Sequence, residues 1–239
     1  MRQLNKSKMK NTVLKSAFLF IIGTLTLSCT NAQVNSETNS DQIAQANSTE
    51  NPEKETAKQT ENMETAYFAS GCFWCVEAIY ESVKGVGEVV NGYAGGHTKN
   101  PTYEESNTGN TGHAEAVEVY YDPAVISFSK LVDVYFASQD PTQVNGQGPD
   151  RGSQYRSIIF YKNDEQKKII EQKKTALAET LGEPIAAEVM PFEKFWRGED
   201  YHQDYEENNP NNRYIQSVSI PRLKRFQEKF PELLKDDAH

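Results

Sequence analysis

The sequence predicts one folded domain of α/β (α+β) class, a two-layer sandwich in which a mixed β-sheet is flanked by helices. Three observations carry this. Short apolar or period-two runs alternate along the chain with segments whose apolar residues recur at helical spacing. The two kinds of segment interleave without strict βαβ regularity, which argues for a sheet of mixed strand direction. The chain has 239 residues, 37% hydrophobic and 10% aromatic, enough for one good-sized core with a polar tail.

The N-terminus is set apart from that core. Arg2, Lys6, Lys8, Lys10 and Lys15 precede "AFLFIIGTLTL", an apolar run too short to span a bilayer comfortably. Residues 1–28 therefore have the pattern of a signal peptide. A small residue, Ser28, stands directly before Cys29. This is the arrangement of a bacterial lipoprotein signal, in which the cysteine is acylated and becomes the mature N-terminus. Ordinary cleavage after Ala32 is the alternative. The expected location is the bacterial cell envelope, lipid-anchored and facing the periplasm, or else soluble in the periplasm or secreted. Residues 29–65 are mostly Asn, Ser, Thr, Glu, Gln and Lys. They cannot bury enough apolar surface to offset ordering entropy, so a disordered tether is expected. The folded domain is then 66–239.

Residues 1–65 hold seven Lys/Arg and seven Asp/Glu, so subtraction from 25 and 34 leaves the domain 18 basic and 27 acidic residues. An acidic domain argues against nucleic acid as a partner and offers no basic surface to anionic lipid. A lipid anchor would be its only link to a membrane, and a monomer is expected.

Within the domain "TAYFAS" is a short apolar strand stopped by Gly71. From Cys72 the apolar residues Phe73, Val76, Ile79, Tyr80 and Val83 recur at helical spacing. "GVGEVVNGYAGG" is a strand with glycine-rich ends, where Gly95 and Gly96 serve a turn. "HAEAVEVYYD" alternates, placing Glu115, Val117, Val119 and Tyr121 on one face and Ala114, Ala116 and Tyr120 on the other. "SFSKLVDVYFAS" is a helix capped by Ser127 or Ser129. The loop "QDPTQVNGQGPDRGSQ" lacks periodicity and exceeds ordinary connection length, a mark of functional or disordered segments. "YRSIIFY" is a strand, "NDEQKKIIEQKKTALAETLG" a long solvated helix ended by Gly182, and "IAAEVM" a strand. "DYHQDYEENN" and "IPRLKRFQEKF" close the chain with helix.

The chain has three cysteines, and two of them, Cys72 and Cys75, stand at C-x-x-C spacing. A bridge over so short a loop adds little stability, and a secreted domain stapled for stability would show more cysteines, more widely spaced. The pair therefore looks chemical. Cys72 follows Gly71 at a helix start, where unpaired N–H groups and the helix dipole would lower a thiol pKa. Cys75 lies one turn later on roughly the same face, within reach for a disulfide. Two buried cysteines packing as small apolar side chains form the purely structural alternative. Zinc held by this pair and two of His97, His113 and His202 is a second, but the histidines lack ligand spacing and no second cysteine pair exists. No metal or cofactor is expected.

Four ordered blocks, "GCFWCVEA", "GYAGGHTKNPTYEESNTGNTGHAEAVEVYYDP", "QDPTQVNGQGPDRGSQYRSIIFY" and "FWRGEDYHQDY", resemble the signatures of the peptide-methionine (S)-S-oxide reductase family, the A-type methionine sulfoxide reductases. The resemblance runs from about Ala66 to Ser219. It implies a repair enzyme that reduces methionine-S-sulfoxide in oxidised proteins and peptides, through a cysteine sulfenic acid, with a thioredoxin-like electron donor. It places the nucleophile at Cys72 and the acid at Glu115. Tyr103 and Tyr155 match the phenols that hydrogen-bond the sulfoxide oxygen, and Asp150 a supporting polar residue. Phe73 and Trp74 match the apolar pocket for the S-methyl group. The chemistry fits, since a sulfoxide sulfur becomes electrophilic only when its oxygen is protonated or strongly hydrogen-bonded. His113 and His202 are expected to be structural or hydrogen-bonding supports. Many family members carry Gly where Cys75 stands and place resolving cysteines in a C-terminal tail. Here no cysteine follows Cys75, so Cys75 is the expected resolving residue, the alternative being that the donor attacks the sulfenic acid directly and Cys75 is a buried apolar filler. A thioredoxin-like disulfide oxidoreductase and a non-enzymatic binding lipoprotein are the competing readings, though neither accounts for "GHAEAV" or "SQYRS".

Overall fold

The computed structural model describes residues 62–236. The signal segment, Cys29 and most of the tether fall outside the described residues. Strand β1 (Glu64–Ala69) begins two residues before the expected tether boundary, because Glu64 and Thr65 already pair with Tyr121 and Tyr120. It lies between β3 (Ala114–Tyr121) and β6 (Ile158–Tyr161), antiparallel to both. β3 pairs with β2 (Val86–Ala94), and β2 with the edge strand β8 (Phe195–Arg197), again antiparallel. On the other side β6 runs parallel to β7 (Glu188–Pro191). The sheet is thus six-stranded and mixed, in the order β7-β6-β1-β3-β2-β8.

The period of two sorts each strand between the faces. Phe68, Val117, Val119 and Tyr121 enter the main core, while Tyr67, Ala69, Ala114 and Ala116 enter a smaller cluster on the opposite face. Glu115 shares the side of Val117, as the alternation predicts. The main core lies between the sheet and four helices: α1 (Phe73–Glu81), α3 (Phe128–Ala137), α4 (Asp164–Leu181) and the helix at Ile220–Lys229, which adds Leu223 and Phe226. Phe68 is fully buried there, stacked on Tyr80 at 4.9 Å; burying such a ring contributes roughly 1.5–3 kcal/mol. The far face is covered by the chain around Met190–Phe195, where the rings of Phe192 and Tyr67 stack at 3.6 Å.

The caps follow the sequence. Ser127 Oγ accepts from the Lys130 N–H at the start of α3, Asn163 caps α4, and Gly182 ends α4 at φ +70°. Three expectations shift. The long loop holds two two-residue strands, β4 (Gly146–Gln147) and β5 (Asp150–Arg151), and a 3-10 turn at Ser153–Tyr155. The strand expected from Tyr155 starts only at Ile158, because that turn occupies the preceding residues. The strand expected from Ile185 starts at Glu188, where pairing with Ile158 begins. Two short elements were not legible in advance, β8 and α2 (Tyr103–Asn107), whereas α5 (Tyr205–Asn208) falls within the helix expected from "DYHQDYEENN". The final helix, α6 (Ile220–Lys229), is preceded by a π-helical turn at Ile215–Ser219, a feature that recurs at functional sites.

Candidate active site

The site is built on the turn from β1 into α1. Gly71 has φ +79°, and a Cβ there would lie 2.6 Å from Gln147 Cβ. Only glycine fits both the backbone and the space. The turn delivers Cys72 as N-cap of α1, its side chain making no capping bond. Cys72 and Cys75 are both buried and both free thiols.

Glu115 reaches this turn from β3. Its Oε2 accepts from the Phe73 N–H at 3.0 Å, and its side chain is buried. Burial pushes its carboxyl from the ordinary 4.5 up to about 8, against the pull of the Phe73 bond, with Asp150 and Cys75 adding to the rise. Glu115 therefore holds a proton at neutral pH. It also takes the first-turn donor that the sequence left for Cys72. The expected lowering of the Cys72 pKa is accordingly not found. Burial pushes the Cys72 thiol well up, and its neighbours Cys75 and Glu115 add to this. The sulfur of lower pKa is Cys75, brought to about 7 by a hydrogen bond from Cys72, against burial, with Arg222, Ser219 and Tyr214 assisting. The two thiols share a hydrogen bond and titrate as a pair.

Aromatic rings wall the site. Phe73 is buried against Tyr93, Tyr103 and His202, with the ring of Tyr103 nearly parallel to its own at 6.3 Å. Trp74 is half-buried, stacked on Tyr205 at 3.8 Å, and its Nε1–H donates to His202 Nδ1 at 3.2 Å. Since Nδ1 accepts, a neutral His202 carries its proton on Nε2, which stands 3.8 Å from Glu199 Oε2. Glu199 also accepts from the Tyr103 N–H and the Tyr93 hydroxyl, both at 2.8 Å. Tyr103 opens α2, whose N-terminus is fixed by a capping box between Thr102 and Glu105. The Tyr103 and Tyr155 phenols are pushed up, first by burial, and both feel Glu115 and Cys72. Tyr155 ends the 3-10 turn after β5.

His113 is a support, as expected. The Gly96 N–H donates to its Nδ1 at 3.0 Å and its Nε2 bonds the Thr98 carbonyl at 2.8 Å. A Cβ on Gly96 would lie 2.2 Å from the His113 backbone nitrogen, so this close approach requires glycine.

Residues 64–234 match the family model described as Peptide methionine sulfoxide reductase. The chain belongs to the peptide methionine sulfoxide reductase family. It is an oxidoreductase that returns methionine sulfoxide to methionine. A reductase of Pasteurella multocida is 48% identical over 170 residues, 71% of this chain and 98% of that one. A reductase of Saccharolobus solfataricus is 45% identical over 173 residues, 72% and 98% of the two chains. Among solved structures, methionine sulfoxide reductase A of Corynebacterium diphtheriae matches with TM-score 0.59 and 37% identity, over 64% of this chain and 77% of that one. Mxr1 from Saccharomyces cerevisiae in reduced form matches with TM-score 0.60 and 33% identity, over 63% and 88%.

In this reductase the structure gathers Cys72, Cys75, Phe73, Trp74, Tyr103, Glu115, Asp150 and Tyr155 around one helix start. Asp150 supports the site through Tyr214. Its Oδ2 accepts from the Tyr214 hydroxyl at 2.6 Å, and that same oxygen of Tyr214 lies 3.8 Å from Cys75 Sγ. Tyr214 and Arg222 are the site residues the sequence did not reveal. Arg222 is buried, donating to the Ser138 carbonyl, the Ser70 carbonyl and Ser70 Oγ at 2.8–3.0 Å. The only signal available was its place on an amphipathic helix face, which also marks ordinary core packing.

Proposed function

We propose that this reductase acts on the S epimer of methionine sulfoxide in oxidised proteins and peptides, through a sulfenic acid on Cys72 and a Cys72–Cys75 disulfide, with a thioredoxin-like dithiol as final reductant. One observation carries the reading: a buried cysteine pair and a buried, protonated glutamate meet on the first turn of one helix. The methyl group of the sulfoxide packs against Phe73 and Trp74, and its oxygen takes hydrogen bonds from Tyr103 and Tyr155. As the Cys72 sulfur attacks the sulfoxide sulfur, its proton passes to the Cys75 thiolate, which already accepts a hydrogen bond from it. Glu115 hands its own proton to the sulfoxide oxygen. Methionine leaves, the oxygen stays on Cys72 as S–OH, and Glu115 carries the negative charge.

Cys75 then attacks Cys72 and expels the oxygen as water, using the proton it gives up. Tyr214, whose hydroxyl donates to Asp150 and lies 3.8 Å from Cys75 Sγ, holds that sulfur in place for the attack. Resolution protects Cys72 from the irreversible steps of oxidation. The test is reduction of the two separated epimers of a methionyl sulfoxide peptide with dithiothreitol. Turnover of the S epimer alone is expected; equal turnover of both, or of neither, would refute the reading.

We also place the enzyme as a monomer in the bacterial envelope, anchored by a lipid on Cys29. The basic n-region, the apolar run and Ser28–Cys29 support this. The natural protein should fractionate with membranes and Cys29→Ala should release it. A mature N-terminus at Gln33 would instead establish simple cleavage.

A further inference from the structure

The cysteine pair has two sides. On one lie Phe73, Trp74, Tyr103, Tyr155 and Glu115. On the other a cleft of about 710 Å³ opens between the 137–150 segment and the helix at 214–229, and Cys75 lines it. Cys72, Glu115, Tyr103 and Tyr155 do not. Volumes of this order hold a ligand or the tip of a protein loop.

The charge of the cleft is opposite to that of the domain. Arg222, Arg225 and Lys229 line it from one helical face, three and four residues apart. Arg225 and Lys229 are exposed, and neither forms an ion pair among the described residues. The Lys229 ammonium lies over the Phe230 ring at 5.4 Å. The two acids in the cleft are already engaged: Asp140 with Thr142 and Gln143, Asp150 with Tyr214.

We propose that the reductant is a dithiol protein with an acidic rim that docks on Arg225 and Lys229, enters this cleft, and attacks Cys75 rather than Cys72. This rests on the resolving role given to Cys75 above. Thiol–disulfide exchange needs the incoming sulfur near the line of the S–S bond, on the far side of the sulfur attacked. Of the two sulfurs only Cys75 belongs to a residue that lines the cleft, so a donor entering there meets Cys75 first. The incoming group is an anion, and the cation beside the pair, Arg222, acts on Cys75.

The steps balance. A donor thiolate bonds to Cys75 Sγ, the Cys72–Cys75 bond breaks, and its electron pair goes to Cys72. Glu115, left ionised when the sulfoxide was reduced, has by then regained a proton from solvent. It passes that proton to Cys72 and takes up another as the site returns to rest. The donor's second thiolate then attacks the donor sulfur of the mixed disulfide and expels Cys75 as a thiolate beside Arg222. The donor ends as a disulfide and the pair has gained two electrons. In the first step Cys72 is the leaving group and is helped by the proton it receives. In the second the leaving group is Cys75, the sulfur of lower pKa, and such a group departs faster.

The experiment starts from enzyme oxidised by one equivalent of methionyl-S-sulfoxide peptide, with the Cys72–Cys75 disulfide verified by intact mass. Without that disulfide the resolving role itself has failed, before any donor is added. A bacterial thioredoxin whose second active-site cysteine is replaced by serine then traps the mixed disulfide, and peptide mapping locates it. A link to Cys75, with Cys72 open to alkylation, is expected. In parallel, Arg225→Glu combined with Lys229→Glu should raise the KM for thioredoxin about tenfold and abolish its dependence on salt. Turnover with dithiothreitol and the unfolding midpoint should not change. A link to Cys72, no link, or an unchanged KM for thioredoxin in the double variant would overturn the proposal.

Discussion

Two buried glutamates meet α1 at different places, and burial pushes both carboxyls to about 8. Glu115 meets the helix at its start. Its neighbours are the Phe73 N–H, the two cysteines and Asp150, and both site phenols feel its charge. Glu77 stands in the second turn. It accepts from the Asp204 N–H at 2.9 Å and lies near Glu81 and Asp204, with one carboxyl oxygen of each of the three within 4.8 Å of the others. Asp204 is held at φ +52° directly before Tyr205, the ring on which Trp74 stacks. Glu77 thus ties α1 to the chain that backs the aromatic wall, while Glu115 touches the reacting sulfur's own turn. A raised carboxyl pKa measures burial and charge crowding. It indicates catalysis only where a nucleophile and a site for substrate share its neighbourhood.

Substitutions separate the two regions, the largest effect coming from the sulfur itself. Cys72→Ser should abolish turnover with the S epimer and leave the unfolding midpoint intact, since no other group on the sulfoxide side can take up the oxygen. Glu115→Gln should slow single-turnover sulfenic acid formation by roughly 10²-fold or more, the usual scale for a lost acid catalyst. The wild-type rate should fall as pH rises through about 8, because the proton to be donated is lost there. A flat profile would remove Glu115 from the acid role.

Tyr214→Phe should leave the oxygen-transfer step unchanged and slow formation of the Cys72–Cys75 disulfide by about tenfold, the scale of one good hydrogen bond. Quenched-flow mass measurement distinguishes the two steps. Glu77→Gln should have the smallest effect on turnover, less than about twofold, because it retains the oxygen that accepts from Asp204. Its effect lies in stability. A carboxyl whose folded pKa is raised from 4.5 to about 8 makes the fold less stable as pH rises between those values. The thermal midpoint of the variant should match wild type near pH 4 and exceed it progressively up to about pH 8. An equal midpoint at pH 8 would show that Glu77 is not held protonated.

Much of this was legible in the sequence for physical reasons that act locally. Alternation in "HAEAVEVYYD" placed Glu115 on the core face, and Gly71 with the spacing after Cys72 marked the strand-to-helix turn. Resemblance to the family then picked Tyr103, Tyr155 and Asp150 out of a chain with twelve tyrosines, which no pattern could have done. What stayed hidden depends on distant contacts. Tyr214 stands 139 residues from Cys75, and Arg222 meets Ser70 only because α6 packs beside α1. The order of the thiol pKa values was misjudged because the helix start alone predicts a low value for Cys72. Glu115, arriving from another strand, takes the donor that would have lowered it, and full burial does the rest.

The most direct test of the account is the intact mass of the enzyme after one equivalent of a methionyl-S-sulfoxide peptide, without reductant. The chemistry described for Cys72, Glu115 and Cys75 predicts loss of two hydrogens, one methionyl peptide released per enzyme, and no alkylatable thiol in the domain. Gain of one oxygen, with a dimedone-reactive Cys72 and a freely alkylated Cys75, would contradict it.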